Sequence, residues 1–227
     1  MPEIHPYYEG HRSAMDASMR QRLDLVHDIF EIHLGQPEAV AATQEIIDEF
    51  EIVLEQTPYV GGAASRMSDF FMRLIGFMAI GRVLQRLGVP TDAIGEIELQ
   101  SYQRQMLTIP EDDRMQAGRD FMSVGNRALI REQAVESQKK TYDGDFIYDY
   151  VEPGPTDRFE FGVNYFSCGF CRFASRHGDL KILKNICGLD FAAYALRGIH
   201  LERTQTLAGG ASHCDFRFSS EPSLPAK

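Results

Sequence analysis

"DFIYDYVEPGPTDRFEFGVNYF", residues 145–166, is the stretch where the chain stops reading as helix. Phe146, Tyr148 and Tyr150 alternate with Ile147, Asp149 and Val151, and beyond "EPGPTD" the residues Phe159, Phe161, Val163 and Tyr165 fall on one face. A period of two belongs to a strand, whose successive side chains point to opposite sides, and Pro and Gly between two such runs mark a turn. The pair of runs therefore predicts a β-hairpin. Moving toward the C-terminus, a helical stretch over 169–196, interrupted by "HGD" at 177–179, leads to "IHLERTQTL" and "HCDFRF". These read as a second hairpin, joined through Gly209 and Gly210.

Toward the N-terminus the period is helical. "SMRQRLDLVHDIFEIHL" and "EAVAATQEIIDEFEIVLEQ" space their apolar residues by three and four, and Pro37 is placed to begin the second of them. "TPYVGGAA" breaks the pattern. Met67, Phe70, Phe71, Leu74, Ile75 and Met78 then mark one face of a helix ending near Gly88. Helices over 92–107 and 112–140 follow, separated by "TIPEDD". The predicted fold is α+β: an N-terminal helical array, then a small antiparallel sheet of two hairpins joined by a helical crossover. Residues 1–141 form the helical region, 142–218 the sheet and helix that carry the candidate site, and 219–227 a flexible tail. The helical array reads as scaffold. Its Met- and Phe-rich helix at 67–87 suits either internal packing or the face of a homo-oligomer.

The totals narrow the partners. The 227 residues are 44% hydrophobic and 25% charged, as in one soluble globular domain, and their formal net charge is −10. That balance argues against nucleic acid and anionic membrane, which attract basic faces. A small anionic substrate stays compatible with it, since one local arginine overrides a global balance. The opening "MPEIHPYYEGHR" lacks the apolar core of a secretory signal, and "LIGFMAIG" is far short of the roughly 20 residues that span a bilayer. A cytoplasmic protein is expected, with its four cysteines as thiols or ligands rather than disulfides.

Reactive side chains crowd the last hairpin. Read as a strand, 199–207 places Arg203 with Ile199 and Leu201 on the core side, where a guanidinium must be paired. Its partner is either a protein carboxylate, Asp190 or Asp215, or a substrate carboxylate held bidentately. In the following strand Cys214, Phe216 and Phe218 share one face, and His213, Asp215 and Arg217 the other. Cys214 is either a buried small hydrophobe or a thiolate activated by a neighbour; His213 would reach it only across a bulge. The series C-x2-C-x15-C-x26-C through Cys168, Cys171, Cys187 and Cys214 lacks the second close pair of a structural zinc site, so no metal is expected. The CxxC lacks the βαβ setting of a thioredoxin-like centre. Cys187 and Asp190 lie three apart, on one face if helical, while His27 and His33 have no partner at ligand spacing.

"HLERTQTLAGGASHCDFRF", preceded by "CGLDF", resembles the L-2-amino-thiazoline-4-carboxylic acid hydrolase family, and "PYVGGAASRMSDFFMRLIGFMAIGRVLQRLGVP" is similar to that family's helical part. The positions that match its pattern are Cys171, Cys187, Asp190, Arg203, Thr204, Gly210, His213, Cys214, Asp215 and Arg217. The resemblance implies hydrolytic opening of a five-membered thiazoline ring to a carbamoyl-cysteine, without a cofactor, on a small substrate bearing a carboxylate. Opening that ring needs a nucleophile, a proton donor for the leaving atom and an anchor for the carboxylate. Cys214 as thiolate, Asp215 or His213 as proton-transfer group, Arg203 or Arg217 as anchor, and Asp190 orienting a base or pairing the amidine would supply them. The remaining pattern positions, Thr204, Gly210, Cys187 and Cys171, would line the substrate site. A rival scheme has Asp190 or Asp215 activate water, with Cys214 as pocket wall. The same fold acting on another small substrate, as hydrolase, isomerase or lyase, and a non-catalytic ligand-binding module are the alternative readings.

Overall fold

The computed structural model describes residues 4–220. Its N-terminal part is six α-helices: α1 (Pro6–Leu34), α2 (Gln36–Gln56), α3 (Arg66–Arg86), α4 (Thr91–Leu107), α5 (Glu111–Met122) and α6 (Val124–Ser137). The strands β1 (Ile147–Val151) and β2 (Phe161–Ser167) follow, then helices α7 (Gly169–His177) and α8 (Leu180–Ala195), and finally β3 (His200–Glu202) and β4 (Cys214–Ser219). This is the expected α+β arrangement, with the helices mostly N-terminal to a four-stranded antiparallel sheet.

The helix ends follow local chemistry. Pro6 opens α1, where a missing N–H costs nothing, and the ring of His5 accepts the Tyr7 N–H. Gly35, at φ +83°, ends α1 and turns the chain into α2, whose first turn holds Pro37. Ser65 caps α3 by accepting the Met67 N–H. Within α3 every residue from Leu74 to Gly81 is buried, so the 67–87 helix is central to the chain and its apolar face packs internally.

Several boundaries differ from the sequence reading. α1 begins at Pro6 rather than near residue 18, because Tyr8 and Met15 continue its apolar face about three turns earlier. The stretch read as one helix over 112–140 is two. Ser123 adopts an extended backbone between α5 and α6; its hydroxyl donates to the Asp120 carbonyl and accepts the Asn126 N–H. β2 starts at Phe161, leaving Phe159 outside the strand, beneath the Arg217 guanidinium. Lastly, the strand expected over 199–207 ends at Glu202. Residues 203–206 are loop, and Leu207–Gly209 form a 3-10 turn capped by Thr206. Of the expected tail at 219–227, Ser219 is the last residue of β4, and 221–227 lie outside the described residues.

The strand order is β1-β2-β4-β3, all antiparallel, so the two hairpins meet through β2 and β4. Their register sets Phe161, Val163 and Tyr165 opposite Phe218, Phe216 and Cys214. These six form the face turned toward the helices. Asn164 and Gly162 stand opposite Asp215 and Arg217 on the other face. α8 packs against α4, β3 and the 3-10 turn, and α6 against β1. Arg82 of α3 ties the layers together, donating to Glu49 of α2 at 3.0 Å and to Asp179, just before α8, at 2.6 Å. No helix among the described residues is long and apolar enough to cross a membrane.

Candidate active site

Arg203 leaves the end of β3 and folds inward between the rings of Phe191 and Phe216, at 4.9 and 5.0 Å, with only 5% of its side chain exposed. Its Nη1 donates to Asp190 at 2.6 Å and its Nη2 to the Cys187 carbonyl at 2.7 Å. The protein carboxylate is thus its partner. Asp190 and Cys187 lie one helical turn apart on α8, so a single guanidinium holds the carboxylate and the backbone of the same turn. Asp190 keeps 37% of its side chain exposed, yet the protein packed around it pushes its carboxyl up to about 6, against the pull of the Arg203 charge and hydrogen bond. Burial also raises the Cys187 thiol, with Asp190 and Cys171 adding to it.

Cys214 lies on the inward face of β4, buried, and its sulfur accepts the Leu207 N–H at 3.2 Å. Burial raises its thiol, and Cys171, Arg203 and Asp190 are close enough to act on it electrostatically. Cys168 and Cys171, at the start of α7, hydrogen-bond to each other. The fold therefore gathers Cys171, Cys187, Cys214, Asp190 and Arg203 where α7, α8 and β4 converge.

The other predicted residues stand apart from that cluster. Asp215 points to the opposite face of the sheet, accepting the Thr204 N–H and hydroxyl and the Gln205 N–H. Burial raises its carboxyl, but these hydrogen bonds outweigh burial and hold it below its ordinary value. Arg217 shares that face, bonded to Asn164 and stacked on Phe159. His213 stacks on Phe166 and bonds Gln205 and Ser212. Gly210 ends the 3-10 turn at φ +91°, a conformation that suits glycine. Thr204 borders an open groove of about 340 Å³ on the loop side, together with Arg203 and Phe191.

A second set of residues completes the inner cluster. A cavity of about 170 Å³ opens beside Asp190 and Cys187, walled by Phe77, Tyr102, Phe121 and Phe170 and bordered by Arg73 and Arg197. Neither of these guanidiniums has a hydrogen bond or ion pair to another described residue. Burial raises the Tyr102 hydroxyl, while Arg197 and Arg73 oppose the shift and Asp190 adds to it, so all three charges bear on one point of the cavity. The sequence reading passed over Arg73, Arg197 and Tyr102. For Arg73 a signal was present: it is the lone cation within "FFMRLIGFM", 70–78. Arg197 lies just past the end of α8 and carries no comparable mark. Among the described residues no group of three or more His, Cys, Asp or Glu is arranged to hold a metal ion.

The family model for L-2-amino-thiazoline-4-carboxylic acid hydrolase matches residues 88–218, more than half of the chain. The chain belongs to that family. No curated protein and no solved structure shows a significant match. The matched region of this L-2-amino-thiazoline-4-carboxylic acid hydrolase family member spans α4 through β4, and so contains Asp190, Cys187, Arg203, Tyr102 and Arg197. Arg73, on α3, lies outside it. The family name marks the chain as one of a hydrolase family.

Proposed function

We propose that this chain hydrolyses a small cyclic amidine that carries a carboxylate, with L-2-amino-thiazoline-4-carboxylate the first substrate to try, inside the cavity beside Asp190. One observation carries the reading: a single cavity sets two unengaged guanidiniums, Arg73 and Arg197, near a carboxyl pushed up to about 6. Drug-sized ligands occupy pockets of about 300–1,000 Å³. A cavity of about 170 Å³ suits something smaller, such as one five-membered ring with a carboxylate.

In this reading Arg73 and Arg197 hold the substrate carboxylate, and aromatic rings enclose the ring. Asp190, as carboxylate, takes a proton from water as the water oxygen bonds to the carbon between ring sulfur and ring nitrogen. The C=N electrons move onto nitrogen. As the adduct collapses, one ring bond breaks and Asp190 returns its proton to the leaving atom. Breaking C–S yields a thiol and N-carbamoyl-cysteine; breaking C–N yields an amine and the S-carbamoyl product. A general base with a pKa near 6 is ionised at neutral pH yet basic enough to assist. Arg203 positions that base. Cys214 is not among the residues that line this cavity; its sulfur is engaged with the Leu207 N–H, and His213 bonds elsewhere.

The test is incubation of the purified protein with L-2-amino-thiazoline-4-carboxylate, assaying for new free thiol and new primary amine. Thiol identifies C–S opening and amine without thiol identifies C–N opening. Asp190→Asn is expected to reduce either by about 10²–10⁴-fold, the usual contribution of a positioned acid–base group. Well-folded protein that yields neither product would overturn the substrate, and full activity in Asp190→Asn would overturn the assignment of the base.

A further inference from the structure

Tyr102 of α4 borders the cavity beside Asp190 and is only 9% exposed. Its ring is held among Met106 of the same helix, Phe77 of α3 and Leu189 of α8, with the Phe77 ring centroid at 6.2 Å. Its hydroxyl makes no hydrogen bond to another described residue, yet it is not sealed from solvent. A buried tyrosine hydroxyl usually finds a partner. Here the open position faces whatever occupies the cavity, on a ring that packing already fixes.

The groups around it differ in kind. Arg73 and Arg197 are charged donors suited to a carboxylate, and Asp190 is an acceptor with its Oδ2 held by Arg203. Tyr102 is a neutral donor, which matches a neutral ring nitrogen. We infer that Tyr102 is a further catalytic residue, whose hydroxyl donates to the ring nitrogen of the substrate and so selects a ring with nitrogen beside the carboxylate-bearing carbon. The identity of that ring rests on the proposed hydrolysis. During attack Asp190 is taking a proton from water, so the nitrogen that receives the C=N electrons needs a donor of its own. Tyr102 passes it the phenolic proton. When the adduct collapses to the carbonyl, the added hydroxyl gives its proton to the phenolate and Asp190 protonates the leaving atom, so both residues end as they began. Burial keeps the Tyr102 hydroxyl protonated at rest, while Arg197 and Arg73 act in the opposite sense and favour the phenolate as it forms.

Two stable rings test the contact without turnover. Thiazole-4-carboxylate carries that nitrogen and no amidine to hydrolyse; thiophene-3-carboxylate has the same outline with CH in its place. Calorimetric titration of the full chain is expected to show the thiazole binding about tenfold more tightly, the effect of one buried hydrogen bond. Tyr102→Phe, which keeps the packed ring, is expected to bind both alike, whereas Arg197→Gln weakens both and keeps the preference. The chain has no tryptophan, so its near-UV absorption reports tyrosine. A red shift on binding thiazole-4-carboxylate is expected in the unaltered chain and is absent in Tyr102→Phe. No preference in the unaltered chain, or a preference that survives Tyr102→Phe, would overturn the contact. With L-2-amino-thiazoline-4-carboxylate, kcat of Tyr102→Phe is expected to fall about 10²-fold, and a full kcat would overturn the proton transfer. A nitrogen preference that depends on Tyr102, in a chain that opens no ring, would support the contact and overturn the proposed substrate instead.

Discussion

Two opposed influences set the protonation of Asp190: burial raises it to about 6, and Arg203 pulls it down through charge and hydrogen bond. If Asp190 is the base, kcat/KM rises with pH along a limb centred near 6, where the carboxylate forms. Arg203→Gln removes the stabilising cation, so that limb moves to higher pH; a merely structural defect would lower the rate without moving it. A rate flat between pH 5 and 7 would exclude Asp190. Cys214→Ser is expected to keep kcat/KM within about threefold, because the thiol is raised by burial and lacks a base. A loss of about 10³-fold would restore the covalent role. Asp215 behaves oppositely to Asp190. Its folded pKa is depressed, so its contribution to stability is present above its unfolded pKa and is lost as pH falls through the folded one. Asp215→Asn should therefore flatten the acid side of the Tm–pH curve below about pH 4. The sequence displayed these residues as one reactive cluster, and the alternation along β4 correctly separated Cys214 from Asp215. It did not reveal where Arg203 turns, since Asp215 ties down 204 and 205 and ends the strand early.

At the level of elements, the site depends on how closely helices approach. Gly118 of α5 faces the end of α8, where a Cβ would lie 1.9 Å from the Arg197 carbonyl oxygen. Arg114 clamps the same place, donating to the Leu196 carbonyl at 2.8 Å. Gly118→Ala must push that segment away, costing about 1–3 kcal/mol as an overpacked contact. Because Arg197 moves with it, KM for a carboxylate substrate should rise more than kcat falls; an unchanged KM would remove Arg197 from substrate binding. Arg82 is the corresponding joint of α2, α3 and α8. Arg82→Ala strands the buried Asp179 and leaves the buried Glu49 to Arg86 alone, and should lower unfolding free energy by about 3–5 kcal/mol, measured by urea titration. Most of these helices were legible because each keeps an apolar stripe at helical spacing. The break at Ser123 was not, since "FMSVGN" offers a capping serine inside a run whose period hardly changes. Nor was the start of α1, whose first three turns carry few apolar residues.

Across the whole molecule, period and turn residues sufficed for the class and the strand pairing within each hairpin. The cavity was out of their reach, because α3 and α5 supply its walls and α8 its reactive groups, over a separation of more than a hundred residues that no local pattern encodes. The order of the sheet has a consequence for how this chain comes into being. β4, last in sequence among the described elements, is an inner strand lying between β2 and β3. During synthesis, the β1–β2 hairpin and α8 leave the ribosome with the inner edge of β2 unpaired, and neither Cys214 nor the anchor for 204–205 exists yet. Such an edge invites pairing with another copy of the chain. The interval between completing β2 and completing β4 is thus when a nascent chain is most exposed to aggregation, and the site forms only when that interval closes.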